Sequence, residues 1–113
     1  MTAFLDGQVA EISFTIYRGA DFTLPLDFQQ DNGLPLDLTD ATAIAKLRRH
    51  FIEEVATFEI AIAEPTSGVI ELSLSKAVID GLKPATYSWS LFLTDAAGVT
   101  QLKCQGTVWV VLP

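Results

Sequence analysis

Apolar and polar residues alternate with a period of two over most of this chain. Such alternation is typical of half-buried β-strands, in which successive side chains point to opposite faces of a sheet. Turn residues separate the alternating stretches at intervals of roughly eight to fifteen residues, which predicts an all-β fold, an Ig-like antiparallel β-sandwich of roughly seven or eight strands. The expected strands are residues 10–17, 22–28, 41–51, 58–62, 69–74, 87–94 and 100–112, with a short extended piece at 35–38.

Residues 41–51, ATAIAKLRRHF, fit two kinds of structure. Alanine, leucine, lysine and arginine favour a helix, whereas the strict alternation of small or apolar residues with threonine, lysine and arginine favours a strand. We predict a strand, because every neighbouring segment has strand character, and we place the next turn at Glu53-Glu54. The only helix that we expect is one short piece after Ser75, which is a suitable N-cap, and it ends near Gly81.

Two residues predict irregularities within the strands. Pro25 has no N–H to donate to a neighbouring strand, so the segment 22–28 is expected to be an edge strand or to break there. In the last strand, simple alternation points Cys104 inward, unless a bulge at Gly106 exchanges the two faces. The core is expected to consist of Phe14, Ile16, Phe22, Leu24, Leu26, Ile60, Ile70, Leu72, Leu74, Trp89, Leu91, Val108 and Val110.

Composition indicates one folded domain over residues 1–113, with residues 1–8, which include the turn dipeptide Asp6-Gly7, as a lead-in. The chain has 113 residues, of which 50% are hydrophobic and 19% charged, and this excludes an intrinsically disordered protein. A net charge of −7 argues against nucleic acid and against an anionic membrane surface as partners. The first residues lack the features of a signal peptide, so we expect synthesis in the cytoplasm.

The residues that carry chemistry favour neither an enzyme nor a metal or cofactor site. His50 is the only histidine and lies among cationic residues, and Cys104 is the only cysteine and lies among apolar ones. Asp31, Gly33 and Asp37 do not match the spacing of a calcium-binding loop, and aspartates at turns usually bond to their own backbone. We therefore expect no enzymatic activity and no cofactor.

Six residues are candidates for contacts with other proteins: Trp109, Phe92, Tyr17, Lys46, Arg48 and Arg49. Trp109 and Phe92 fall on the polar side of their strands, and exposed aromatic residues often anchor subunit contacts. For Trp109 the alternative is that a bulge turns it inward. The basic residues cluster in an otherwise acidic chain, where they would face an acidic neighbouring subunit or, alternatively, only solvent.

Five motifs in a fixed order carry a family resemblance: Arg18-Gly19-Ala20-Asp21-Phe22, Gly33-Leu34-Pro35-Leu36-Asp37-Leu38-Thr39, Gly68-Val69-Ile70-Glu71-Leu72, Tyr87-Ser88-Trp89 and Gly106-Thr107-Val108. Over residues 12–111 the chain resembles a small β-sandwich virion domain of tailed phages, the family that includes the N-terminal domain of upper baseplate proteins and of tail-fibre-associated proteins. The resemblance implies a structural component of the virion, in the baseplate, the tail or the fibre attachment. Its partners would be other virion proteins or copies of itself.

Two other functions stay open at this point. Capsid decoration proteins are also small and rich in β-structure. A receptor- or carbohydrate-binding module would use exposed Trp109 and Tyr17 to stack on sugars.

Overall fold

The computed structural model describes the backbone of residues 2–4 and all atoms of residues 9–30 and 32–113. The rest of the predicted lead-in, the turn at Asp6-Gly7 and Asp31 lie outside the described residues. The strands of the described chain are β1 (Thr2–Phe4), β2 (Ala10–Glu11), β3 (Phe14–Tyr17), β4 (Phe22–Gln29), β5 (Thr42–Arg49), β6 (Glu53–Thr57), β7 (Glu59–Ala61), β8 (Val69–Leu74), β9 (Ala85–Thr94) and β10 (Thr100–Val111). A 3-10 turn spans Pro65–Ser67, and the helix α1 spans Lys76–Asp80.

The strands form two sheets that pack face to face, so the prediction of an Ig-like β-sandwich is confirmed. The four-stranded sheet has the order β1-β4-β8-β7, and the six-stranded sheet has the order β2-β10-β9-β5-β6, with β3 also paired to β10. Most pairs are antiparallel, but β1 runs parallel to β4, and β2 and β3 run parallel to β10. The sheets are therefore mixed, and the described chain has more strands than predicted because the first expected segment is divided into β2 and β3 and because β1 and β6 were not expected.

The core lies between the two sheets and contains most of the expected residues. Phe22, Leu24 and Ile60 are only partly buried, because β7 is an edge strand and the first part of β4 has no described strand on the side away from β8. An aromatic cluster fills the centre, where the ring of Phe14 lies 5.3 Å from that of Trp89. The further buried apolar residues, which the expected core did not include, are Ile12, Phe28, Leu38, Ala45, Leu47, Phe58, Ile79, Leu82, Tyr87, Leu93 and Cys104.

The segment 41–51 is a strand, as predicted, but the turn that follows it comes earlier than expected. The N–H of Ile52 donates to the carbonyl oxygen of Arg49 over 3.3 Å, and the two residues between them have positive φ angles, 55° at His50 and 63° at Phe51. Glu53 already belongs to β6, opposite Arg49. The predicted turn at Glu53-Glu54 is therefore wrong, because the β5–β6 pairing extends to the residue directly before the turn.

Gly106 does not mark a bulge, although the last strand contains one. The register of β10 against β9 shifts between Leu102 and Cys104, so the extra residue is Lys103, which is only 2% exposed. Gly106 serves another purpose: a Cβ atom there would overlap the carbonyl oxygen of Ile12. This close approach lets the indole N–H of Trp89 donate to the same oxygen at 2.7 Å.

The prediction of an edge strand is correct for the part of β4 around Pro25. β4 pairs with β8 from Phe22 to Asp27, whereas β1 pairs only with its last part, Asp27–Gln29. On the side facing away from β8, Pro25 thus has no strand of the described chain beside it, and its missing N–H costs the sheet little.

Two hydrogen bonds fix the connection between β8 and β9. The hydroxyl oxygen of Ser75 accepts from the N–H of Val78 at 3.3 Å, which confirms the predicted helix cap. The hydroxyl of Tyr87 donates to the carbonyl oxygen of Lys83 at 2.6 Å. A tyrosine that bonds to backbone a few residues upstream is a known feature of Ig-like sandwiches, where it holds the corner before a central strand.

Candidate functional site

The candidate site is the outer face of the six-stranded sheet, meaning the side that points away from the core. At one end, Trp109 on β10 is opposite Thr15 on β3, and Tyr17 lies two residues further along β3. At the other end, Phe92 on β9 is opposite Ile44 on β5. The two ends are about 20 Å apart, since six residues of β9 separate Phe92 from the partner of Trp109.

Large apolar side chains on this face are open to solvent. The exposed fraction is 43% for Trp109, 55% for Tyr17, 39% for Phe92 and 55% for Ile44. Trp109 therefore points outward, and the alternative that a bulge turns it inward is wrong. Ile44 was not among the expected contact residues, although the alternation of residues 41–51 already put it on the same face as Lys46.

An ion-paired group occupies the middle of the outer face. The ammonium of Lys46 lies 3.0 Å from a carboxylate oxygen of Glu54, and a terminal nitrogen of Arg48 lies 3.4 Å from the same oxygen. The hydrogen bond from Lys46 lowers the pKa of Glu54 below its ordinary value, with a smaller contribution from Arg48. Arg48 also donates to the hydroxyl of Ser90 at 2.9 Å. The two cations thus share one carboxylate and are partly neutralised.

Arg49 lies on the other side of the strand. Its guanidinium carbon is 5.6 Å from the ring centre of Tyr87, a buried residue of the inner face. Neighbouring residues of a strand point in opposite directions, so the three basic residues do not share one face of the sheet. The structure brings five of the six candidate residues to the outer face and leaves Arg49 at the sheet end.

Two shallow depressions lie side by side on the outer face. One has a volume of about 340 Å³ and includes Ile44 and Phe92, and the other, of about 290 Å³, lies beside Thr107. Arg48 and Ser90 line both depressions. Their other walls contain hydroxyl and amide groups, together with Lys46 in one depression and Glu11 in the other, so the face offers aromatic side chains beside hydrogen-bonding and charged groups. Such a combination is suited to binding another surface.

The remaining candidates for chemistry are held in structural roles. Cys104 is buried, and burial raises the pKa of its thiol to about 12, so the thiolate that a nucleophile needs is not formed. His50 is exposed in the β5–β6 turn. Asp37 accepts from the N–H and the hydroxyl of Thr39 in its own turn, as predicted, and the hydroxyl bond lowers its pKa.

Asp21 behaves differently from the other turn aspartates. Its carboxylate accepts from the N–H of Lys76 at 2.6 Å and so holds the first residue of α1. In return, a carboxylate oxygen of Asp80 accepts from the N–H of Gly19 at 2.8 Å. These long-range bonds connect the loop after β3 to both ends of α1, a contact that no local motif predicted.

Within the described part of the chain, no group of three or more histidine, cysteine, aspartate or glutamate side chains is arranged to hold a metal ion. The described residues also contain no helix long and apolar enough to cross a membrane.

Fold and site together define an Ig-like β-sandwich domain with one sheet face exposed to solvent. No protein-family model matches the chain, and no curated protein matches it in sequence. Among solved structures, the fold is similar to the N-terminal domain of phage TP901-1 ORF48, with a TM-score of 0.57 and 9% identity, covering 96% of this chain and 95% of that one.

The Lin-41 filamin domain has a TM-score of 0.48 at 15% identity, covering 86% of this chain and 82% of that one. The titin M3 domain has a TM-score of 0.46 at 16% identity, covering 91% of each chain. At these identities the likeness concerns the fold alone.

Proposed function

We propose that this chain is a structural component of a tailed-phage virion that acts by protein–protein assembly. Its location would be the baseplate, the tail or the fibre attachment, after synthesis in the host cytoplasm. One support is the similarity in fold to a domain of a phage protein over nearly the full length of both chains. A second support is the ordered set of sequence motifs that resembles upper baseplate and tail-fibre-associated domains.

The observation that carries the proposal is the outer face of the six-stranded sheet. Exposed apolar side chains that occur singly are ordinary on protein surfaces. Here Trp109, Tyr17, Phe92 and Ile44 all project from one face, and hydroxyl groups surround them. Aromatic anchors within a polar rim are typical of protein interfaces, in which a few such residues carry most of the binding free energy.

We propose that the chain is not an enzyme and that its partners are proteins. The buried Cys104 and the exposed, isolated His50 support a role without catalysis. The net charge of −7 supports partners other than nucleic acid and membranes. In a particle with many identical sites, individually weak contacts suffice, because the local concentration of partners is high.

Incorporation into particles tests the proposal. Tagged chain is produced in the host together with the phage genome that encodes it, and the number of copies per purified particle is measured by quantitative mass spectrometry. Trp109→Ser and Phe92→Ser each remove one of the three aromatic side chains of the outer face, one at each end. We expect folded proteins whose incorporation falls at least about tenfold, the effect of losing one dominant contact residue.

Val78→Ser is the matched control, because Val78 is 44% exposed, like Trp109, but lies on α1 away from the outer face. Its incorporation is expected to equal that of the wild type. The proposal fails if the wild-type chain is absent from purified particles. The assignment of the outer face fails if Trp109→Ser and Phe92→Ser are incorporated as well as Val78→Ser.

Trp109 and Tyr17, which are diagonal neighbours on one face, also favour a second candidate function, a carbohydrate-binding module. Sugars would stack on the two rings. A glycan array distinguishes this function: signal that disappears in Trp109→Ser supports it, and no signal at high protein concentration excludes it.

A further inference from the structure

The tip of the β5–β6 hairpin combines two unfavourable features. Its central residues His50 and Phe51 have left-handed backbone conformations, with φ angles of 55° and 63°. Hairpin turns of this kind favour Asn-Gly, and a bulky residue with positive φ is an outlier. Strained conformations of this kind cluster at functional sites, because folding alone does not select them.

The same turn presents two large apolar side chains to solvent. Phe51 is 83% exposed and Ile52 is 85% exposed, the two highest values among the exposed large hydrophobic residues of the described chain. We call these two residues the apolar tip. Neither contributes to the core, so their apolar surface gains free energy only if another surface covers it.

The end of the molecule that carries the apolar tip is basic. The seven lysine and arginine residues of the chain include four that lie at this end, against three carboxylates, those of Glu11, Glu53 and Glu54. Glu54 is already paired with two of the four cations. The four cations are Lys46, Arg48, Arg49 and Lys83. This end is positive in a chain whose net charge is −7.

The opposite end of the molecule has the complementary character. A depression of about 510 Å³ lies between the segment that precedes β5 and the β9–β10 turn, with Leu36, Ala41 and Val99 among its apolar lining residues. Lys103 also contributes to the wall from its buried position. The three acidic residues that line the depression are Asp37, Asp40 and Asp95.

Strand β5 connects the two features. It begins next to Ala41 in the depression and ends next to His50 at the turn, so the two sites are about 30 Å apart and face opposite ways along the strand. The tip and the depression of one molecule therefore cannot contact each other, but the tip of one molecule can contact the depression of a second.

We propose that the apolar tip of one copy of this chain binds in the acidic depression of a second copy. The charges favour this site over the depression beside Ile44 and Phe92, because that one is lined by Lys46 and Arg48 and therefore carries the same sign as the tip. The contact is heterologous, since each molecule uses a different surface, and it generates a ring if the rotation closes and a filament if it does not. This inference goes beyond the proposed function, because the contact between copies can form without a particle.

Sedimentation velocity of the purified chain measures the self-association. We expect the wild type to associate reversibly at concentrations up to about 1 mM, the local concentration that linked sites provide, and to dissociate as salt screens the charges. The double variant F51S/I52S is expected to stay monomeric, because both apolar side chains are lost.

The depression is tested by the triple variant D37N/D40N/D95N. Asparagine keeps the oxygen that accepts the turn hydrogen bonds of Asp37 and Asp95, and it tolerates the φ angle of 59° at Asp40. Loss of three rim charges is expected to weaken association about tenfold. The control E64Q/E71Q removes two carboxylates from another depression and leaves association unchanged.

Mixing the variants distinguishes a head-to-tail contact from a symmetric one. F51S/I52S retains the acidic depression and D37N/D40N/D95N retains the apolar tip, so a mixture of the two variants is expected to form a one-to-one complex that is tighter than the association of either variant alone. F51S/I52S mixed with wild type is expected to cap growing assemblies, because wild-type tips bind its depression and its own tip binds nothing. A symmetric tip-to-tip contact would instead ignore added F51S/I52S.

A turn variant separates a binding role from a folding role. Asn-Gly suits the left-handed turn, so H50N/F51G is expected to raise the melting temperature of the monomer while it abolishes association. The inference is overturned if the wild type remains monomeric at about 1 mM, or if F51S/I52S associates like the wild type. If the chain is incorporated into particles but does not self-associate, the proposed function holds and this inference fails. If the chain self-associates but is absent from particles, this inference holds and the proposed function fails.

Discussion

The chain's two tryptophans have opposite roles, and the same substitution at each provides a sharp test of the structure. Trp89 is 2% exposed and donates from its indole nitrogen to the carbonyl oxygen of Ile12 at 2.7 Å. Trp89→Phe leaves that buried oxygen without its donor, which costs about 1–3 kcal/mol. Loss of part of the ring adds about 1 kcal/mol of apolar burial. We expect unfolding to become easier by about 2–4 kcal/mol.

Trp109→Phe is the matched control, because Trp109 is 43% exposed on the outer face and makes no core contact of this kind. Its effect is expected to lie within about 0.5 kcal/mol. Urea unfolding followed by circular dichroism measures both free energies. For a domain of this size the loss in Trp89→Phe corresponds to a melting temperature lower by roughly 10 °C. The reasoning is refuted if Trp89→Phe is as stable as the wild type, or if Trp109→Phe is destabilised as strongly.

Three further changes test other parts of the fold. Gly106→Ala is expected to cost more than about 3 kcal/mol in thermal unfolding, because the new Cβ atom overlaps the carbonyl oxygen of Ile12. Tyr87→Phe removes the hydroxyl bond of the corner and is expected to cost about 1–2 kcal/mol in the same assay. The hydrogen bond from Lys76 lowers the pKa of Asp80, so its stabilising effect is present above the unfolded-state pKa of about 4 and is lost as the pH falls through the lower folded-state value. Asp80→Asn should therefore flatten the decline in melting temperature below about pH 4, and an unchanged decline would contradict this pairing.

Most strands and much of the core follow from the period-two alternation, because a strand with one buried face must alternate. Residues 41–51 illustrate how much neighbouring segments contribute: their helix-forming composition was overridden by pairing on both sides with β6 and β9. The turn after them escaped prediction, because bulky His50 and Phe51 are poor turn residues by composition. The position of that turn depends on where the pairing of β5 with β6 ends, and this pairing continues to Arg49 opposite Glu53.

The bulge at Lys103 was also beyond local sequence patterns. A lysine in a strand normally points to solvent, so nothing in the residue type indicated that it would be the extra, buried residue. The parallel pairings of the N-terminal strands likewise join segments far apart in sequence.

For the candidate site, the alternation correctly placed the side chains of Trp109 and Phe92 on the outer face. Successive residues of a strand alternate between the two faces of the sheet, so the face of a residue follows from the sequence wherever the strand is regular. Arg49 shows the opposite case. Proximity in sequence suggested that it would act with Arg48, but adjacent residues of a strand face opposite ways, and Arg49 packs against Tyr87.

A cryo-EM map of intact particles, produced from the genome that encodes this chain, tests the central claim most directly. The account predicts density for the domain on the baseplate, the tail or the fibre attachment, with Trp109 and Phe92 covered by a neighbouring protein. Density on the capsid would indicate a decoration protein instead. Particles without this domain, or a domain whose outer face is open to solvent, would contradict the account.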